Sequence, residues 1–213
     1  MNILVMYDRQ TGSLWSQLLG VAVEGELKRT QLEYLPSWQT TWADWKSRHP
    51  DTLALRKGYS GDIDQYDSYY SSSSSGVIGR TNLDIENDLY AKEFVIGVEV
   101  NNDAMAYPFS VLNQQPIIND EIGGTFVLVV FNENNAGGAV FDRTYNGDTL
   151  IFSVIDELTL TDDLTGSIWD GIAGTAIDGP LAGTTLTRIK STTIFWFGWA
   201  DWFPDTKIFQ IGE

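Results

Sequence analysis

The stretch TGSLWSQLLGVAVEG, Thr11 to Gly25, returns as TGSIWDGIAGTAIDG, Thr165 to Gly179. Gly12 and Gly166 set an offset of 154, and that offset holds without a gap far beyond the quoted residues. It pairs Asp8 with Asp162, Trp15 with Trp169, Gly20 with Gly174, Gly25 with Gly179 and Leu32 with Leu186. It continues through Trp42 and Trp196, Trp45 and Trp199, and Pro50-Asp51-Thr52 and Pro204-Asp205-Thr206. Chance does not keep one register over so many tryptophans and glycines, so residues 3–56 and 157–210 are read as two copies of one module.

Each copy reads as short strands. Brief apolar runs are punctuated by the turn signals Thr11-Gly12, Glu24-Gly25, Thr165-Gly166 and Asp178-Gly179, which predicts strands near 4–8, 20–23 and 31–35 joined by tight turns. TTWADWKSRHPDT then predicts a short helix capped at Thr40 and stopped by Pro50. Trp42, Trp45 and His49 share one helical face, which is expected to pack its tryptophans on the sheet. Between the copies, residues 58–84 are rich in Ser, Tyr, Gly and Asp without periodicity and read as a long irregular connection with a mobile serine run. Further on, EFVIGVEV alternates, TFVLVV has the continuous apolar run of a strand buried on both faces, and GDTLIFSV follows a turn.

Composition excludes several functions. The chain has 213 residues and a net charge of −16, a field that repels phosphate backbones, so nucleic acid is not an expected partner. It has no cysteine, which removes disulfides, thiolate metal sites and cysteine nucleophiles. The opening MNILVMYD lacks a basic start and a long apolar run, so neither a signal peptide nor a transmembrane segment is expected there.

The phrases MYDRQTGSLWSQ, TTWADWKSRHPDT, IGVEVNNDAMAYP, IINDEIGG and AVFDR together resemble the bacterial and archaeal family known as domain of unknown function 3179. The resemblance covers nearly the whole chain. It implies an order of front and back halves forming two degenerate units, with this chain beginning after the first front half. On that reading residues 3–57 are the back half of the first unit and 58–84 the connection. Residues 85–213 are then a complete second unit, with front half 85–155 and back half 156–213. The expected fold is mainly β with a few short helices, as two pseudo-repeated antiparallel modules of sandwich or barrel type, the first lacking half. The resemblance further implies a C-P-L-C type motif in the absent front half, before a G-x-x-x-F-D-R phrase. In FNENNAGGAVFDR, Asn132 and Asn135 stand where those thiols would be, and an amide is no redox centre.

Candidate chemistry is sparse. His49 is the only histidine, and its counterpart is Phe203, which points to packing at a helix end rather than to catalysis. Asp62, Asp64 and Asp67 in GDIDQYD are weak calcium candidates whose spacing departs from a calcium loop. Asp156, Glu157, Asp162 and Asp163 offer carboxylates for glycoside chemistry, but nothing in the sequence makes any two face each other. No nucleophile elbow, phosphate loop or dinucleotide fingerprint occurs, so no catalytic residue and no cofactor is assigned.

Binding is the better reading. Tyr59, Tyr66, Tyr69 and Tyr70 in the connection are candidates for ligand contact, with carbohydrate a weak option. The two helices also differ: Thr41 becomes Phe195, Arg48 becomes Trp202 and His49 becomes Phe203, with Phe197 an added aromatic. That widened apolar stripe predicts a second helix covered by another segment, a partner chain such as a second copy, or a membrane surface, while the first faces water. A module deprived of its companion half would also bare an apolar face, and at roughly 25 cal/mol per Å² a few hundred Å² represents several kcal/mol. The expected function is therefore a noncatalytic β-rich binding or interaction protein, extracytoplasmic and of the cell envelope in its complete form. The alternative is a fragment of a redox or metal-dependent enzyme whose reactive motif lies upstream.

Overall fold

A computed structural model describes residues 3–35, 37, 39–55, 66–72 and 89–212, except the side chain of Asp67. The first copy forms β1 (Val5–Tyr7), β2 (Leu14–Ser16), β3 (Val21–Glu24) and helix α1 (Trp42–Arg48), followed by the short α2 (Asp67–Ser71). The middle block forms β4 (Phe94–Val100), β5 (Asp103–Pro108), α3 (Phe109–Leu112), β6 (Ile117–Ile122), β7 (Thr125–Asn132) and β8 (Gly137–Asp142). Two small strands, β9 (Thr144–Tyr145) and β10 (Asp148–Thr149), lead to β11 (Phe152–Asp156). The second copy adds β12 (Thr159–Asp162), β13 (Ile168–Asp170), β14 (Thr175–Asp178), β15 (Ser191–Phe195), α4 (Trp196–Trp202) and β16 (Lys207–Ile208).

The protein is mainly β, and its sheets are open, so the barrel alternative is not what forms. Sheet orders are β1-β2-β3, β6-β7-β8, β11-β12-β13-β14 and β15-β4-β5-β16, with β9 and β10 as a small hairpin. Pairing is antiparallel except that β16 runs parallel to β5. The β6-β7-β8 sheet lies in the middle. Leu128, Val130, Ala139 and Phe141 on one face pack on Phe152, Leu160, Trp169 and Ala176 of the β11 to β14 sheet. Val127, Val129, Phe131 and Val140 on the other face pack on Ile96, Val98 and Tyr107 of β4 and β5. The continuous apolar run of β7 is thus buried on both faces, as its sequence predicts.

The two copies make the same local bonds at the 154-residue offset. Asp8 accepts from the backbone N–H groups of Gln10 and Thr11, the Thr11 hydroxyl and the Trp15 indole N–H (3.2 Å). Asp162 accepts from the Thr165 N–H and hydroxyl and from the Trp169 indole N–H (2.9 Å). A short aspartate thereby folds the turn and fixes an indole on the neighbouring strand. The buried hydroxyls of Ser13 and Ser167 accept from Leu27 N–H and Leu181 N–H, respectively. In both copies the register slips just before the tryptophan, between Leu14 and Trp15 and between Ile168 and Trp169.

Four local expectations are corrected. Residues 31–35 do not form a strand: Gln31 makes a single bridge to Val21. Their counterparts are held by β8, through Asp142 N–H to Thr187 O and Ile189 N–H to Val140 O, and no described segment does this for the first copy. The first helix starts one residue late, with Thr41 as its cap accepting from Asp44 N–H, while the Thr40 hydroxyl donates to the Asp44 carboxylate. It buries no residue, and Trp42 remains 54% exposed, so its tryptophans do not pack on a sheet. Within the connection, residues 67–71 form a helical turn, while Ser73 to Ser75 of the serine run lie outside the described residues.

The second helix is covered, and by its own chain. Trp196, Phe197 and Trp199 are buried, and the Trp199 ring lies where a Cβ on Gly97 would sit, 2.3 Å from its nearest atom. The sheet accepts the indole only because β4 carries glycine there. Gly97→Val is expected to cost about 2 kcal/mol, as overpacking displaces Trp199, measured as a lower urea midpoint.

Hydrogen bonds from Thr11, Trp15 and Gln10 outweigh a small burial effect and hold the Asp8 carboxyl down at about 2. Burial pushes Asp162 up, but bonds from Trp169, Thr165 and Ser167 outweigh it, so its pKa is also lowered. A depressed folded-state pKa gives stability that is complete above the unfolded value and lost as pH falls through the folded one. Urea midpoints are therefore expected to fall below about pH 4, and less steeply in the Asp162→Asn chain. Asp162→Ala, which orphans a buried indole N–H, should cost about 3 kcal/mol, and Asp8→Ala less because water reaches that site.

Candidate functional site

A groove of about 520 Å³ lies between the first copy and the strands β15 and β8. One wall carries Ile3, Met6, Leu18, Leu32 and Leu35, and the other is formed by Gly138 and residues 190–194. Three of its polar side chains are engaged with the chain. The Gln31 amide donates to the carbonyls of Leu19, Gly20 and Leu32, and Lys190 Nζ lies 3.5 Å from Leu19 O. The Tyr34 hydroxyl lies 3.4 Å from Ser191 O and from Ser191 N. The open surface carries these apolar side chains together with the polar Gln17, Glu33 and Gln39.

The second copy explains the groove. Leu160, Ile172 and Leu186, the counterparts of Met6, Leu18 and Leu32, lie in the core formed with β6, β7 and β8. Gly174, the counterpart of Gly20, sits so close under the Phe141 ring that a Cβ there would stand 2.4 Å from it; at Gly20 the nearest group is the Gln31 amide instead. Exposure measures the difference: Met6 is 40% exposed against 0% for Leu160, and Leu32 45% against 6% for Leu186. In the first copy this face is open at Met6 and Leu32, while Trp15, Leu18 and Ala22 are buried there as their counterparts are.

The sequence candidates fall elsewhere. His49 caps α1 through its N–H to Trp45 O and stacks on the Trp45 ring with centroids 4.1 Å apart. Phe203 repeats this on Trp199 at 4.3 Å, so the imidazole stands in a packing position that an apolar ring also fills. Tyr59, Asp62 and Asp64 lie outside the described residues, as does the side chain of Asp67. Tyr66 is exposed. Tyr69 and Tyr70 pack on Phe195, at 6.2 and 6.0 Å, and the buried Lys92 lies over the Tyr69 ring at 3.9 Å while donating to Tyr69 O and Ser72 Oγ. Burial and the neighbouring Tyr70 raise the Tyr69 pKa. These two rings join an aromatic cluster that continues through Phe94, Phe109 and Phe131, with Tyr69 half-buried and Tyr70 54% exposed at its outer end.

Of the proposed interface residues, Phe197 is buried, Phe195 sits in that cluster, and Trp202 and Phe203 are half-buried beside Trp199. Phe197 therefore offers no surface to a partner. Asn132 and Asn135 spend their side-chain carbonyls on the turn after β7, accepting from Asn134 N–H and Gly137 N–H. The carboxylates do not form a facing pair: Asp162 is committed to Trp169, Asp163 accepts from Ile151 N–H, and Asp156 and Glu157 are exposed at the β11 to β12 turn. Among the described residues no three His, Asp or Glu side chains converge as metal ligands.

Two polar features escape sequence reading. Tyr107 donates to Asp120 at 2.7 Å, and burial with that carboxylate pushes the phenol far up. Arg143 of the AVFDR phrase is buried and donates to the carbonyls of Val127, Leu150 and Asp120, so burial lowers its pKa but the nearby Asp120, Asp163 and Glu121 oppose this. A guanidinium spent on three carbonyls is a tie between sheets and not a ligand group. Only long-range contacts disclose either feature, although an arginine inside an apolar strand phrase is a signal in itself.

No helix among the described residues is long and apolar enough to cross a membrane. No curated protein matches the chain, and no solved structure matches it. The profile of the family described as Protein of unknown function (DUF3179) matches residues 1–206. With its paired aspartate and tryptophan turns and its AVFDR tie, the chain belongs to that DUF3179 family.

Proposed function

We propose that this chain is a noncatalytic interaction protein that receives a polypeptide in the groove between its first copy and β15. The observation that carries the reading is the contrast between Met6 and Leu32, part-exposed, and their buried counterparts Leu160 and Leu186. An apolar face built to the same pattern as a core surface has a shape that only another packed apolar surface fills well. Catalysis has less support, because among the described residues no hydroxyl lining the groove is hydrogen-bonded to a carboxylate or an imidazole. Carbohydrate is less favoured, since Tyr69 is held between Lys92 and Phe195, although Tyr66 and Tyr70 remain exposed.

The test uses photo-crosslinking. In extracts of the producing cell, Leu35→p-benzoylphenylalanine should form adducts with a polypeptide, whereas the same replacement of the exposed Asp103 should not. The adducts should disappear in a chain also carrying Met6→Asp, with its urea midpoint unchanged because Met6 is already open to water. Labelling by small molecules alone, or by no polypeptide, overturns the reading.

A further inference from the structure

The turn between β9 and β10 sits on the one Asn-Gly dipeptide of the chain, Asn146-Gly147. Tyr145 stands opposite Asp148 and Thr144 opposite Thr149, so these two residues are the whole loop. Both take left-handed backbone, with φ 52° at Asn146 and 92° at Gly147, and Asn-Gly is the pair that supplies such a turn without strain. The same pair is chemically reactive. An asparagine carboxamide lies within ring-closing reach of the next backbone nitrogen, and glycine adds no side chain to crowd the approach.

The surroundings leave the reacting groups free. Asn146, Gly147 and Asp148 are exposed, and a Cβ built on Gly147 would meet nothing within 4 Å. Among the described residues no hydrogen bond engages the Asn146 carboxamide or the Gly147 N–H. The other described asparagines differ. Asn119 bonds through its carboxamide to the N–H and C=O of Phe152, Asn101 donates to Gly123 O, and Asn132 and Asn135 accept from turn amides. Asn102, Asn113 and Asn134 precede Asp103, Gln114 and Asn135, whose side chains crowd the nitrogen. The hairpin carrying Asn146 pairs with no other strand, so its turn opens at small cost.

We infer that Asn146 is a self-modifying site, at which loss of ammonia yields aspartate and isoaspartate and loosens the Arg143 tie between the sheets. The Gly147 nitrogen attacks Asn146 Cγ, the Cγ–Nδ2 bond breaks, and the proton of the attacking nitrogen leaves with the amide group as ammonia. Water then opens the cyclic imide. Cleavage of its nitrogen bond to Cγ gives aspartate in a normal backbone; cleavage of its nitrogen bond to the backbone carbonyl carbon gives isoaspartate, whose main chain is longer by one carbon. A two-residue turn has no slack for that carbon. At the base of the hairpin, Leu150 N–H donates to Arg143 O at 2.9 Å and Arg143 Nη1 donates to Leu150 O at 2.8 Å. Arg143 also reaches Val127 O and Asp120 O of the middle sheet, and Leu150 lies in the core with Phe152 and Trp169. The length of the turn therefore sets whether Arg143 and Leu150 meet.

The experiment ages the whole chain in warm, mildly alkaline buffer made with oxygen-18 water and follows the tryptic peptide 144–188, which holds no other asparagine and no glutamine. That peptide should gain about 3 Da, as separable aspartate and isoaspartate forms, sooner than any peptide carrying another asparagine. A free peptide of residues 144–149, TYNGDT, sets the unconstrained rate, and the chain should react within about tenfold of it. In the isoaspartate fraction the Leu150 amide should exchange at least about tenfold faster than in fresh chain. Asn146→Asp adds the charge without lengthening the backbone and should leave Leu150 protected. The readouts on the unaltered chain stand whether or not that variant folds. A larger lag behind the free peptide, or an earlier gain at another asparagine, overturns the reactivity of this turn. An isoaspartate fraction whose Leu150 amide is as protected as in fresh chain overturns its coupling to Arg143.

Discussion

The fold rests on a carboxylate that serves a turn and an indole at once. Asp8 and Asp162 each gather the amides of a tight turn on one side and a tryptophan N–H on the other. The turn fixes where the next strand begins, and the indole fixes which face of that strand looks inward. With both set by one short side chain, the three strands of each copy have a single register, and the face carrying Met6, Trp15 and Ala22, or Leu160, Trp169 and Ala176, is defined before any other sheet arrives. A longer acid could not do both, since the turn needs the carboxyl close to its own backbone.

What happens to that face depends on the neighbours. In the second copy the middle sheet closes on it, with Phe141 seated on Gly174 and Arg143 tying the sheets together through carbonyls. In the first copy Leu18 packs with Val95, Ala106, Trp196 and Trp199, but Met6 and Leu32 stay part-exposed and a groove remains beside β15. The contrast within one chain is more informative than either site alone, because it separates what the module is built to do from what happens to cover it.

Much of this was legible in the residues. The repeated tryptophans and glycines, the turn signals and the two-sided burial of β7 all depend on local pattern, and pattern is what a sequence displays. The assignment failed where a partner decides the outcome. Residues 31–35 have the apolar spacing of a strand, yet Leu32 and Leu35 stay open because nothing equivalent to β8 reaches them among the described residues. Trp42 and Trp196 look alike in sequence, but only Trp196 meets a sheet, since Gly97 makes room for the neighbouring Trp199. The aromatic stripe of the second helix is readable as covered, but not which of another segment, a partner chain or a membrane surface covers it. The groove itself has no signature, because an open apolar face and a closed one are written with the same letters.

The parallel pairing of β16 with β5 has a consequence for how the chain is made. Lys207 and Ile208 complete a sheet whose other strands include β4 and β5, about a hundred residues earlier, so one loop of that length must close before the sheet is whole. Contacts this distant along the chain slow assembly, and on a ribosome they wait until Lys207 and Ile208 have emerged. The first module, held by its own turns, can acquire its register while the seat for Trp199 is still without its helix.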